Sequence, residues 1–192
     1  VIETILNAVG IDLDVEESAK GAGGPFTMQE EGAYERFSLM VDKHLDIIRS
    51  LPLGPPTRGT LTSFFGHRID PINSQPAFHS GVDIRCALGT RVIAPAEGVV
   101  VERGRSGDYG NYLEIKHGNG FRTRYLHLQR QLVNEGDRVT RGQTIGLTGN
   151  TGRSTGSHLH YEVFYRNKLV DPARFIQIRS RIAAHLDKQQ GG

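Results

Sequence analysis

The stretch Gly98–Leu128, GVVVERGRSGDYGNYLEIKHGNGFRTRYLHL, decides the fold class. Three short runs, Gly98–Arg103, Asn111–Lys116 and Phe121–His127, are separated by SGDYG (Ser106–Gly110) and HGNG (His117–Gly120). Gly, Asn and Asp supply the backbone angles of tight turns, so the pattern reads strand, turn, strand, turn, strand. The same punctuation extends outward on both sides. Thr60–Phe65, Gly81–Arg85, Arg91–Ala94, Gln143–Thr148 and His158–Tyr165 are period-two or continuously apolar, and PAEG (Pro95–Gly98), EGD (Glu135–Asp137) and GNTG (Gly149–Gly152) divide them. The expectation is a mainly β protein: an antiparallel β domain with an N-terminal helical segment and a short C-terminal helix.

The flanks carry the helices. Ile2, Ile5, Leu6 and Val9 fall at helical spacing, and Gly10 suits a helix end. Residues 16–32, EESAKGAGGPFTMQEEG, read as a Gly-rich linker. Tyr34, Phe37, Val41, Leu45 and Ile48 form the apolar stripe of a second helix, which Pro52, Pro55 and Pro56 stop. Such a stripe is expected to pack on its own domain or on a partner helix. Asp171–Ile182, with Pro172 in its first turn, is expected to form a closing helix. The division expected is a helical and linker segment at 1–56, a β domain at 57–177 and a C-terminal helix and tail at 178–192.

Charge is unevenly spread. Residues 1–50 hold four Lys/Arg against ten Asp/Glu, and residues 101–181 hold fourteen against seven. A basic C-terminal part favours an anionic polymer, and a solvated mixed-charge surface accounts for it equally well. No Lys/Arg cluster with interleaved aromatics occurs, so no nucleic-acid partner is expected. Cys86 is the single cysteine, which excludes an intramolecular disulfide and suits a small buried apolar residue. The chain begins at Val1, with no signal-peptide pattern and no apolar run of membrane-spanning length. It is read as a soluble piece of a longer protein.

The histidines carry the chemistry. Of eight, those in His79-x-x-x-Asp83, His127 and His158-x-His160 stand out. Residues two apart on a strand share a face, so His158 and His160 project together. Two imidazoles and a carboxylate suit zinc, and three protein ligands leave the fourth tetrahedral position for water. The lone cysteine argues against a closed thiolate site. No HExxH is present, so other histidines are the natural proton carriers. Tyr125, two before His127, is a candidate substrate-binding hydrogen-bond donor on the same face. His44 and His185 look like surface residues on helices, and His67 and His117 like turn residues.

The segments TSFFGHRIDP (Thr62–Pro71), HSGVD (His79–Asp83), YGNYLEIKHGNG (Tyr109–Gly120), RYLHL (Arg124–Leu128), EGDRVTRGQTIGLTGNTGRSTGSHLHYEV (Glu135–Val163) and VDP (Val170–Pro172) together resemble the lysostaphin-type, or LytM-like, zinc endopeptidases of peptidoglycan. The resemblance spans roughly Arg58 to Phe175. It implies one zinc per chain held by His79, Asp83 and His160, with His127 and His158 as the catalytic histidines. It further implies hydrolysis of peptidoglycan stem-peptide cross-links by a zinc-activated water, the D-alanyl–meso-diaminopimelate bond in a Gram-negative wall. Ser157 stands where many members have Pro. The GGPF segment (Gly23–Phe26) resembles the Gram-negative branch, where a coiled coil precedes it. That implies a location in the cell envelope, periplasmic or anchored to the inner membrane. Two other readings remain: a non-catalytic activator of cell-wall amidases, as in relatives that have lost the site residues, and a lipoyl or biotinyl carrier. VIAPAEGVVV (Val92–Val101) and EGDRVTRGQTIG (Glu135–Gly146) resemble carrier strands, but no Lys sits at a tight hairpin between them.

Overall fold

The computed structural model describes residues 2–10, 32–69 and 74–178. The linker expected at 16–32 lies outside them apart from Gly32, as does the C-terminal tail beyond Ile178. Two helices come first, α1 (Ile2–Val9) and α2 (Ala33–Ser50). Twelve strands come after them among the described residues: β1 (Thr60–Ser63), β2 (Gly66–Ile69), β3 (Pro76–His79), β4 (Val82–Arg85), β5 (Arg91–Ile93), β6 (Gly98–Ser106), β7 (Gly110–Lys116), β8 (Phe121–Gln131), β9 (Arg138–Val139), β10 (Thr144–Thr148), β11 (His158–Tyr165) and β12 (Lys168–Val170). A single helical turn, α3 (Ala173–Ile176), closes the described chain.

Ten strands join one antiparallel sheet with the order β1-β4-β11-β8-β7-β6-β9; β12 pairs with β11, and β10 with β8 and β5. β2 and β3 make a separate hairpin. Every strand expected from the sequence is present. β8 runs past His127 to Gln131, and β2, β3, β9 and β12 are additional. β9 and β12 are only two and three residues long, too short to show a period.

Period two sets what each face of the sheet carries. Val82, Ile84, Leu113, Ile115, Tyr125, Leu159, Tyr161 and Val163 point into the core and are buried. Burying each such side chain contributes about 1.5–3 kcal/mol. Their sequence neighbours Asp83, Glu114, Arg124, His160 and Glu162 therefore share the other face, where the site is built.

The N-terminal helices join this core at their ends. Leu6, Val9, Ile47 and Leu51 are buried in it. The Arg141 guanidinium caps the C-terminus of α2, donating to the carbonyls of Ile48 at 2.6 Å and Leu51 at 3.1 Å, and also to that of Pro95 at 2.6 Å. The rest of the stripe behaves differently from expectation. Tyr34, Phe37, Val41 and Leu45 remain exposed, because only the last turn of α2 reaches the sheet. No described residue of α1 or α2 lines the cavity that holds the clustered histidines.

Candidate metal centre

His160 on β11 lies directly across from Asp83 on β4 in the antiparallel register. His79 ends β3 and reaches the same point through the Ser80-Gly81 turn. Gly81 permits this approach: a Cβ there would strike the Tyr161 carbonyl and come within 2.9 Å of His160 Nε2. The three side chains converge tightly. His79 Nε2 is 3.1 Å from Asp83 Oδ1 and 3.1 Å from His160 Nδ1, and His160 Nδ1 is 2.8 Å from Asp83 Oδ1.

Each histidine's second nitrogen fixes which atom faces this point. His79 Nδ1–H donates to the Phe64 carbonyl at 2.7 Å, and His160 Nε2–H donates to Glu162 Oε1 at 3.3 Å. Carbonyl and carboxylate oxygens only accept, so in the neutral rings the protons sit on those nitrogens and the lone pairs of His79 Nε2 and His160 Nδ1 point inward. Three acceptors about 3 Å apart repel one another unless a positive charge lies between them. Two bonds of about 2.0–2.1 Å at a tetrahedral angle separate ligand atoms by about 3.3–3.4 Å, so a zinc-sized ion fits with little movement.

The electrostatics agree. Burial works to raise the Asp83 pKa, but hydrogen bonds with His160 and His79 hold the carboxyl far below the usual range. Burial opposes charge on His160, yet bonding to Asp83 and Glu162 prevails and raises its pKa to about 9. Without an ion, a proton between Asp83 and His160 relieves the repulsion, and a cation bound there would displace it.

His127 and His158 complete the cluster. Their ring centroids are 4.8 Å apart, and the His127 ring is 6.1 Å from that of His160. Each turns Nδ1–H onto a carbonyl at 2.8 Å, His127 onto Thr151 and His158 onto Gly156, with Ser154 Oγ 3.1 Å from the latter nitrogen. Nε2 is left for the cavity on both rings, and that of His158 is 3.7 Å from Asp83 Oδ1. Burial pushes the His127 pKa down to about 4, so its ring is neutral at pH 7. All five residues line one cavity of about 510 Å³, together with Arg68, Tyr109 and Arg153. A second lobe of about 260 Å³ continues past His158 and Asp83 towards Thr62 and Arg85.

Tyr125 is not part of this cavity, and here the expectation needs correcting. Its side chain is fully buried and its hydroxyl is bonded to Thr123 Oγ1 at 2.8 Å. The expectation assumed a regular strand. Along β7, Asn111 pairs with Leu128 and Leu113 with Tyr125, so Leu126 and His127 together oppose Tyr112 in a bulge. His127 takes φ 62° there, and its amide bonds the Tyr109 carbonyl at 2.9 Å. The bulge turns His127 away from the core face that Tyr125 keeps. His117, expected in a turn, is buried and bonded at both nitrogens, to the Glu97 carbonyl and Thr123 Oγ1. His67 lies on β2, and Cys86 is only partly buried.

Sequence reasoning passed over Glu162 and Arg124. Period two contained the signal, since Glu162 is two residues after His160 and shares its face. The model of peptidase family M23 matches residues 77–172, half of the chain and all five clustered residues. The chain belongs to peptidase family M23. Among its relatives is the peptidoglycan DD-endopeptidase ShyA of Vibrio cholerae, 46% identical over 110 residues, which are 57% of this chain and 26% of that protein. A zinc-containing peptidase from Vibrio cholerae superposes with a TM-score of 0.57 at 39% identity, over 64% of this chain and 38% of the other. The catalytic domain of lysostaphin from Staphylococcus simulans gives 0.56 at 34% identity, over 62% of this chain and 92% of that domain. This M23 chain spans about a quarter to a third of the length of the curated relatives it matches.

Proposed function

We propose that the chain is a zinc metalloendopeptidase that hydrolyses peptide cross-links of bacterial peptidoglycan at D-alanyl–meso-diaminopimelate bonds. The observation that carries this is the convergence of the inward-facing atoms of His79, Asp83 and His160, beside two histidines whose Nε2 atoms face the same cavity. ShyA, named a peptidoglycan DD-endopeptidase, supports the substrate class. The zinc-containing peptidase of Vibrio cholerae supports the metal. Such a substrate fits a location in the cell envelope, facing the periplasm.

His79, Asp83 and His160 hold the metal. Zinc held by them would supply a Lewis acid that lowers the pKa of water. His127 is neutral at pH 7 and has its Nδ1–H fixed on Thr151, so Nε2 is free to take a proton. His158, held the same way on Gly156, supplies the second proton carrier or the donor that steadies the oxyanion. Both lobes are lined by His158 and Asp83, which gives an extended peptide a path across the cluster in this reading.

The test is digestion of purified Gram-negative peptidoglycan by the zinc-loaded chain. New D-alanine carboxyl termini and free diaminopimelate amines are expected by mass spectrometry, abolished by a chelator and restored by zinc. Muropeptides unchanged by the loaded protein would overturn the reading.

A further inference from the structure

Behind His160 lies a row of charges, its carboxylates buried and its guanidiniums partly so, that the proposed hydrolysis does not use. Glu162 and Glu114 are 3% and 4% exposed. Glu162 gives Oε1 to His160 Nε2 and Oε2 to Arg124 Nη1 at 3.2 Å. Arg124 turns its other edge to Glu114 Oε2, with Nε at 2.9 Å and Nη2 at 2.6 Å. Arg122 Nη1 closes the row on Glu114 Oε1 at 2.5 Å. The sheet register builds it, for Arg124 on β8 lies opposite Glu162 on β11 and opposite Glu114 on β7.

Stability does not account for this arrangement. Burying ions costs desolvation, and an apolar row of the same shape is often as stable or more so. What the row supplies and an apolar one cannot is direction at one imidazole. Glu162 uses separate oxygens for His160 and Arg124, so the guanidinium fixes the plane of the carboxylate. The carboxylate in turn holds the proton of His160 on Nε2 and enriches Nδ1 as a donor atom.

We propose that Glu162 is the positioning residue of the metal site, and that Arg124, braced by Glu114, holds it in place. The inference rests on the reading of His79, Asp83 and His160 as a metal site. Its chemistry is that of a divalent cation held through His160 Nδ1, whose affinity the row raises without touching the ion.

The experiment titrates zinc into the metal-free chain against a chromogenic chelator, for wild type, Glu162→Gln and Arg124→Lys. Glu162→Gln is expected to weaken zinc binding about 10–100-fold. Arg124→Lys keeps the charge and loses the fork, so a smaller loss, about threefold to tenfold, is expected. Cobalt-substituted protein should show a shifted visible spectrum in both variants, which a purely structural role would not produce. The thermal midpoint of the metal-free chain should change little in Arg124→Lys, which decides the matter if Glu162→Gln does not fold. Variants that bind zinc as tightly as wild type, with unchanged cobalt spectra, would overturn the inference. Wild type that binds no zinc would instead overturn the metal reading on which it rests.

Discussion

The two faces of the sheet hold buried histidines that use their nitrogens differently. On the core face His117 is satisfied twice within the protein, by the Glu97 carbonyl at 2.7 Å and by Thr123 Oγ1 at 2.8 Å, and Thr123 passes the chain on to Tyr125. On the other face His79, His127 and His158 each spend one nitrogen on a backbone carbonyl and turn the second towards the cavity. Burial alone does not distinguish them, because His117, His79 and His127 are all buried. The unspent nitrogen does. A histidine with both nitrogens bonded is a bolt between segments, whereas one with a single anchored nitrogen is held ready for a ligand or a proton.

The largest effect expected from this comparison is within the cavity cluster. His160→Ala should lose both zinc and activity, since two remaining ligands rarely hold zinc at an open site. His127→Ala and His158→Ala should keep zinc while activity falls about 10²–10⁴-fold, the usual worth of a general acid or base. Metal analysis beside hydrolysis rates checks this. Equal loss of zinc in the His158 and His160 variants would erase the division of roles.

That division shows what the sequence made legible. Short strands broken by Gly-rich turns, and HxH on one strand, are products of period two, and the antiparallel sheet and the shared face of His158 and His160 came from that rule. Tyr125 and His117 escaped it for a physical reason. A bulge adds one residue to a strand and reverses the face of the residues beyond it, and nothing local in RYLHL marks where it falls. His117 comes after a strand and precedes GNG, so it reads as a turn residue until Glu97 and Thr123 are brought to it from elsewhere in the sheet. α2 shows the converse limit. Its stripe is plain in the sequence, but whether a stripe is covered depends on where the helix axis leads, and here only Ile47 and the residues after it reach the core.

His117 gives the next effect in size. Burial pushes its pKa down to about 4 from 6.5, outweighing the Glu97 hydrogen bond. Between those values the unfolded chain binds a proton that the folded chain refuses. Its contribution is therefore complete above pH 6.5 and lost as pH falls towards 4, about 2–4 kcal/mol in all. His117→Gln cannot titrate and should cost about 1–2 kcal/mol at pH 7 by loss of bonding. Urea unfolding from pH 7 to 4 should show a shallower decline in the variant, so that the two stability curves approach each other in acid. Parallel curves would mean that His117 does not bolt these segments together.

The smallest effect tests the backbone beneath the cavity cluster. His127 holds φ 62°, in the left-handed region that costs a residue with a Cβ about 1–2 kcal/mol. In a regular strand Gly is worse than Ala by about 0.5–1 kcal/mol. At this bulge the order should invert. His127→Gly and His127→Ala both remove the imidazole and its bond to Thr151, so their difference isolates the backbone. His127→Gly should be the more stable of the pair by up to about 1 kcal/mol, since the relief of strain is partly offset by the greater freedom of Gly in the unfolded chain. Both should be equally inactive. The comparison is read from urea midpoints of the metal-free proteins, which keeps zinc out of the balance. If His127→Ala proved the more stable, the bulge would not be strained, and the turning of His127 into the cavity would need no sacrifice from the strand that carries it.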